Sequence, residues 1–426
     1  MTTLFLAWRS AWSRRGALAL ALLSIALSAA LLLAVERVRD AARAGFDASL
    51  SGIDLVVGPR DHPLRLVLHA VFHLGQADAT LSWDSVERLA RQPAVAWTIP
   101  LALGDSHRGF PVVATSAAYF EHYRYGRGQA LAFSAGRRFD GLFDIVLGAE
   151  AARRLGYRIG DRLELAHGHG HRYGHERGHG DHVHHGRPFT VSGVLAPTGT
   201  PADRALYIGL PAMKAIHLDW QGGAPLPGVR LSADDLRKFD LAPEQVTAVL
   251  VGLRQRAAVL GLQRKLNTDA GEPMTAVIPA VALDELWQLT ASAERALQAL
   301  SALVGVVALC ALAGTVLAGL NERRRELAVL RAIGARPGRI FLLLVCEGGV
   351  LTAAGAILGL AAVQLAALAL GPWLLAHWGL ALEPGWPGVR DLALLAAIVG
   401  AGLAASALPA WRAYRLSLAD GLAPRS

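Results

Sequence analysis

Asn321 to Arg339 reads NERRRELAVLRAIGARPGR and sits between two long apolar runs, Ala296 to Leu320 and Ile340 to Leu375. It carries six arginines against two glutamates, and such an excess of basic residues beside membrane spans marks a cytoplasmic turn. From Glu322 to Ile333 the apolar residues Leu327, Val329, Leu330 and Ile333 fall largely on one side of a helix, while Arg323, Arg324, Arg325 and Arg331 form the polar remainder. Gly334 stops the pattern and Pro337 lies just beyond it. The segment therefore reads as a short amphipathic helix pinned between two spans and shaped to be pushed from the cytoplasm. A topology signal with no partner is the other reading that the residues leave open.

The expected plan has four spans. Residues 1–15 form a short basic terminus, and Gly16 to Val35 is an apolar run of about the twenty residues needed to cross ~30 Å of hydrocarbon. Ser28-Ala29-Ala30 is followed by more leucine instead of a polar start, so the run reads as a retained anchor and not as a cleaved signal. The second span covers 296–320, the segment 321–339 is the turn, and the third span covers 340–375. After an external loop at 376–391 the fourth span occupies 392–408, and 409–426 forms the tail. Trp373, Trp378 and Trp386 suit the outer headgroup layer; Trp411, Arg412, Tyr414 and Arg415 suit the inner one. Both termini then lie inside. Glu347, near the cytoplasmic end of the third span, is expected to snorkel or pair with a loop arginine.

Residues 36–295 hold no second run long and apolar enough to span, and read as one external domain. Short β-branched patches bounded by Gly, Pro or Asp predict strands at 53–57, 95–99, 112–115, 145–147, 189–195 and 205–208, with helices at 83–91, 150–155 and 211–217 between them. This mixture predicts an α+β domain. The breaker-rich QGGAPLPG at 221–228 reads as a joint, followed by a return lobe over 230–280. From Val281 the helical pattern runs without interruption through a stalk at 281–295 into the second span, and such a helix transmits displacement as a rod.

The chain has 426 residues, is 53% hydrophobic and carries a net charge of +8. The basic excess clusters at the membrane ends: +3 before Val35, +4 within 321–339, −2 over 340–391 and +2 after that. This distribution points to topology and anionic lipid headgroups, and against a nucleic-acid surface. Both cysteines, Cys310 and Cys346, lie in apolar runs, so no disulfide framework is available to the external domain. None of the three lysines, Lys214, Lys238 and Lys265, precedes Ser or Thr. A phosphate-binding loop of the Gly-rich Lys-Ser/Thr type is therefore excluded, and no nucleotide cofactor is expected in this chain.

His167 to His185 reads HGHGHRYGHERGHGDHVHH and holds eight of the fifteen histidines: His167, His169, His171, His175, His179, His182, His184 and His185. Neutral imidazoles suit Zn, Ni or Cu, and the stretch reads as a loop that would gather Zn(2+) through interchangeable ligand sets. A solvated low-complexity insertion is the competing reading. His175-Glu176-Arg177-Gly178-His179 matches the zincin pattern, but that pattern needs a helix, and Gly174, Gly178 and Gly180 each cost one about 1 kcal/mol. His69 and His73 stand four apart, where packing or capping explains them better than a metal pair does.

The run ERRRELAVLRAIGA followed by an apolar span containing Glu347, with the C-terminal LPAWRAYRLSLADGL and the four-span plan, resembles the FtsX/MacB-type ABC permeases, which include the lipoprotein-releasing permeases. The resemblance implies a mechanotransmission permease in a bacterial inner membrane, with a MacB-like periplasmic domain inserted between spans 1 and 2. It implies a cytoplasmic ABC ATPase as a separate partner, docking on Glu322, Arg323, Arg324, Arg325, Glu326, Leu330, Arg331 and Gly334. It further implies pairing of two permease chains, as homodimer or heterodimer, and a periplasmic substrate or protein partner, here with a possible link to zinc through the histidines. The alternative it carries is an FtsX-like scaffold that recruits or activates a cell-wall hydrolase. On neither reading is the chain itself an enzyme.

Overall fold

The computed structural model describes residues 15–167, 182–183, 187–218, 220–221, 224–225, 233–236, 239–322, 337–378, 382 and 384–415. These fall into two compact units, one of residues 42–290 with 376–380 and one of the remaining stretches.

The first unit is built on a mixed sheet of twelve strands among the described residues. They are β1 (Leu55–Pro59), β2 (Val95–His107), β3 (Phe110–Thr115), β4 (Phe133–Gly136), β5 (Asp144–Leu147), β6 (Arg162–Leu163), β7 (Ala166–His167), β8 (His182–Val183), β9 (Phe189–Leu195), β10 (Leu206–Gly209), β11 (Ala248–Leu253) and β12 (Met274–Val277). Nine of them run in the order β12-β1-β11-β2-β3-β10-β5-β9-β4. The pairs β3/β10 and β5/β9 are parallel and the other pairs in that row are antiparallel. β6 joins β9, and β7 bridges β2 and β8.

Successive residues of a strand point to opposite faces, so a sheet covered on both sides must be apolar at nearly every position. β1 meets that requirement, being buried at all five residues. Leu55, Val57, Val112, Ala114, Ile145, Leu147, Leu206 and Ile208 enter one core. Their neighbours Val56, Val113, Val146 and Tyr207 enter the other. Helices α3 (Trp83–Ala90), α5 (Ala149–Leu155), α6 (Leu210–His217) and α7 (Val259–Asn267) supply the first core through Val86, Leu89, Ala151, Ile216 and Leu262. Helices α2 (Pro63–Phe72) and α4 (Ala118–His122) supply the second through Leu66, Val67, Val71, Tyr119 and Phe120.

The α+β class follows the sequence expectation, with one correction of arrangement. The segment 230–280, expected as a return lobe, forms no separate unit: β11 lies between β1 and β2, and β12 lies against β1. Its apolar strands Ala248–Leu253 and Met274–Val277 are buried on both faces, which a small independent lobe cannot provide.

Two long helices contribute to this unit. The end of α1 (Arg15–Ser49) is capped by it: Tyr123 Oη donates to Ser49 O at 3.2 Å and Gly126 N–H to Ala48 O at 2.9 Å, satisfying carbonyls that a helix terminus leaves open. The start of α8 (Pro279–Glu322) buries Ala282 and Leu283 in the second core. Trp287 stacks edge-on with Phe46 at 5.4 Å, under the Arg43 guanidinium at 5.2 Å.

The second unit holds the apolar parts of α1 and α8 together with α9 (Pro337–Trp378) and α10 (Val389–Arg415). All four helices are long and apolar enough to cross a membrane, over Leu18–Ser49, Pro279–Ala318, Gly338–Leu374 and Val389–Trp411. Close approach of α9 to two neighbours depends on glycine. A methyl group at Gly355 would lie 2.6 Å from Ile25 Cγ2, and one at Gly359 would lie 2.6 Å from Ala26 O. On the α10 side, Gly348 abuts Ser406 and Gly402 abuts Thr352.

Gly359→Leu is therefore expected to destabilise the detergent-solubilised chain by roughly 1–3 kcal/mol through overpacking. Gly314→Leu, where a side chain meets open space, leaves the thermal midpoint nearly unchanged. Equal midpoints for the two variants would mean that the contact between α1 and α9 is not made.

Candidate functional site

Three groups of residues bear on function. The first is the arginine-rich segment between α8 and α9. α8 ends at Glu322 and α9 begins at Pro337, whose fixed φ and missing N–H suit a first helical turn. Arg323, Arg324, Arg325, Glu326, Leu330, Arg331 and Gly334 lie outside the described residues, and Glu322 is the last residue of α8.

The second group is a set of charged residues where α1 leaves its apolar stretch. Arg37 donates to Asp391 Oδ2 at 3.1 Å, and both side chains are about 15% exposed. The same carboxylate oxygen accepts the Gly388 N–H at 3.2 Å. Glu36 pairs with Arg39 at 2.5 Å and accepts from the Gln298 amide at 3.1 Å, while Arg390 approaches Asp40 at 3.8 Å. α1 is thereby tied to α8 and to the first turn of α10 by polar contacts, none of which the sequence reading anticipated. The apolar interior offers no comparable network among the described residues. Ser301, Thr352 and Ser406 are buried there, but each donates to the carbonyl four residues back in its own helix. Glu347 is half-buried.

The third group is the histidines. Of the eight singled out in the sequence, His167 falls in β7 and His182 in β8, which pair with each other. His169, His171, His175, His179, His184 and His185, and with them the zincin-like stretch, lie outside the described residues. Among the described residues no group of three or more His, Cys, Asp or Glu is gathered to hold a metal ion.

His69 and His73 are both buried, and they serve α2 rather than a metal. His73 adopts the left-handed conformation at φ 55°, which lets the N–H of the next residue, Leu74, close the helix on Leu68 O at 3.0 Å. Burial, then the neighbouring His69, pushes its imidazole down to about 3.

Sequence reasoning missed two further histidines. His107, at the end of β2, places Nδ1 2.6 Å from Glu164 O and Nε2 3.1 Å from Tyr157 Oη. Burial holds it below the usual histidine range. His217, the last residue of α6, sets Nε2 3.4 Å from Oδ1 of Asp105, a residue 1% exposed. Burial opposes its charged form, but the hydrogen bond and charge of Asp105 override burial and hold it above the usual range. Neither residue has a neighbouring histidine in sequence that would mark it.

Two family models match the chain. The MacB-like periplasmic core domain matches residues 18–262, and the FtsX-like permease C-terminal model matches residues 299–418. Among solved structures, the chain is similar to the periplasmic region of MacB from Actinobacillus actinomycetemcomitans, at 12% identity over 57% of this chain and 97% of that one, with a TM-score of 0.32. It is also similar to the extracellular domain of the noncanonic ABC-type transporter YknZ from Gram-positive bacteria, at 14% identity over 53% of this chain and 98% of that one, with a TM-score of 0.30. A search of curated proteins returned no match. With one family model running from the first apolar helix through the mixed sheet and the other over the remaining three helices, the chain belongs to the MacB/FtsX family of ABC-type permeases.

Proposed function

We propose that this permease is a mechanical transmitter: a separate cytoplasmic ATPase presses on Glu322 to Gly334, and the movement reaches a periplasmic domain that acts on an envelope substrate or protein partner. Permeases of this family work with a cytoplasmic ABC ATPase in a lipid bilayer. The observation that carries the proposal is α8, a single helix from Pro279 to Glu322. One residue, Ile278, separates it from β12 in the sheet, and its other end meets the arginine-rich turn. At 1.5 Å per residue such a helix is about 66 Å long, and its backbone hydrogen bonds make it stiff along its axis. The self-bonded hydroxyls of the apolar interior favour transmission over conduction through the bilayer.

On this reading both termini are cytoplasmic, two permease chains pair, and ATP hydrolysis belongs to the partner, because this chain lacks the Lys-Ser/Thr phosphate loop. The test is affinity purification of the full chain from its native membrane with ATPase assay of the eluate. An ATP-binding chain is expected to copurify, and Arg324→Ala with Leu330→Asp is expected to lower the coupled ATPase at least tenfold while the permease stays folded. Unchanged activity in that variant overturns the proposal. Activation of a cell-wall hydrolase by the purified complex would instead identify the FtsX-like scaffold.

A further inference from the structure

α8 carries two seven-residue patterns on opposite sides. On one side Gln298, Ser301, Gly305, Ala308 and Leu312 follow each other at alternating steps of three and four, and this side is packed on α1. Gln298 donates to Glu36, a methyl group at Gly305 would lie 3.3 Å from Ser28 Oγ, and Ala308 and Leu312 share a core with Ile25. On the other side Leu289, Ala293, Ala296, Leu300, Leu303, Val307 and Cys310 follow at alternating steps of four and three without a break. All seven are exposed, the leucines and Val307 by 57–66%. Residues two apart on a helix, such as Gln298 and Leu300 or Ser301 and Leu303, stand about 200° apart, so the second seam faces away from α1.

A face that meets only lipid must be apolar, but it needs no period of 3.5 residues. That period keeps one narrow stripe against a partner helix when the two wind left-handedly around each other. The seam also reaches beyond the apolar layer. Gln298 meets Glu36 beside the Arg37–Asp391 pair, at the charged end of the apolar stretch of α1, and Leu289 lies about 13 Å further along the axis. From Gln288 to Ala296 the exposed residues are Gln288, Leu289, Ser292, Ala293, Arg295 and Ala296, and the three apolar ones are all seam positions. Hydrocarbon does not cover them there, and burying them takes a protein surface.

The surface that fits this seam is the seam itself. Insertion gives every copy of the chain one orientation in the membrane, so a two-fold axis along the membrane normal sets α8 parallel to α8 with each position facing its own counterpart. Ala293 and Ala296 allow the backbones to approach closely, and Leu300 and Leu303 fill the wider middle. We infer that two copies of this chain form a homodimer, paired in parallel through the α8 seam over residues 289–310. This rests on the transmission reading for its orientation and deepens it by naming the partner and the face. The two stiff helices are then one element, and a push on either reaches both external domains.

The test uses the full chain alone in liposomes. In a background of Cys310→Ser with Cys346→Ser, single cysteines are introduced and oxidised with copper phenanthroline. Ala296→Cys and Leu303→Cys are expected to yield a product of twice the chain mass about tenfold more readily than Ala302→Cys, which is exposed on the same helix but off the seam. Energy transfer between two labelled preparations, followed as lipid is added, reads the strength of pairing. Ala296→Glu and Ala296→Lys, each setting like charges face to face, are expected to weaken it about tenfold, and mixing the two variants restores it to within about threefold of wild type. That restoration also shows that both variants fold. Equal cross-linking at positions 296, 302 and 303, or none at any of them, means that the seam faces lipid and overturns the inference. A mixture that fails to pair overturns it as well, and so does cross-linking of Leu303→Cys in native membranes only to a chain of different mass. Because no ATPase is present in the liposomes, failure here leaves the test of docking at 322–334 intact, and failure there leaves the pairing intact.

Discussion

Arg37→Ala lowers the stability of the solubilised permease by about 3 kcal/mol, the lower end of the range for breaking a buried ion pair by removing one partner. The loss is expected because Arg37 and Asp391 are both about 15% exposed and 3.1 Å apart, so truncation leaves the carboxylate facing little solvent. Removal of Asp391 is expected to cost a similar amount and to release the Gly388 N–H that it also holds. The exchanged pair Arg37→Asp with Asp391→Arg recovers part of the loss, so the two changes are strongly non-additive. This behaviour separates a specific tie between α1 and α10 from a general sensitivity of that region. Additive costs in a double-mutant cycle, read from thermal midpoints in one detergent, would show that the two residues do not interact. The tie also bears on transmission. On the transmission reading proposed above, with α1, α8 and α10 moving as a body, Arg37→Ala is expected to uncouple the partner's ATP hydrolysis from movement of the mixed-sheet domain more than it reduces the ATPase activity itself.

How far the sequence could be read differs from one part of the molecule to another, for physical reasons. Phe189–Leu195 alternates buried and half-buried residues along its length, and that period of two is visible in the sequence, so the strand read as 189–195 has those bounds. β2 was legible only as 95–99, because Pro100 and Gly104 argue against a continuing strand. It continues to His107 since Pro100 needs no donor where it sits opposite Val249, and a register shift between Leu103 and Ser106 accommodates Gly104. The misplaced return lobe has a similar cause. Local breakers at 221–228 suggested a boundary, yet β11 completes the centre of the sheet by pairing with strands far earlier in the chain, and long-range pairing leaves no local periodicity. Asp105 and His217 escaped notice for the same reason: one lies in a strand end and the other in a helix end, and only the folded chain brings them together. The arginine-rich turn was legible in the opposite sense, as a strong local pattern whose residues 323–336 lie outside the described part of the structure.

Acidification separates wild type from His73→Asn by a margin that grows as pH falls, and this is the second large effect expected. His73 is buried, and its pKa lies near 3 against an ordinary value of 6.5. A folded-state value below the unfolded one means that the unfolded chain takes up the proton first. The contribution of His73 is therefore complete above about pH 6.5 and is lost as pH falls toward 3. At about 1.4 kcal/mol per pH unit, the loss by pH 4 reaches roughly 3 kcal/mol. Asparagine cannot titrate, and it is among the few residues that tolerate the left-handed conformation required at φ 55°. The variant is expected to be less stable than wild type at pH 7.5, because the imidazole packing is lost, and to show a flatter decline on acidification. Carboxylate titration is common to both chains and cancels in the difference. Thermal midpoints of the two full chains, measured in parallel from pH 7.5 to 4, test this. Parallel curves would mean that His73 is protonated in the folded protein, and that the closing turn of α2 is open to water.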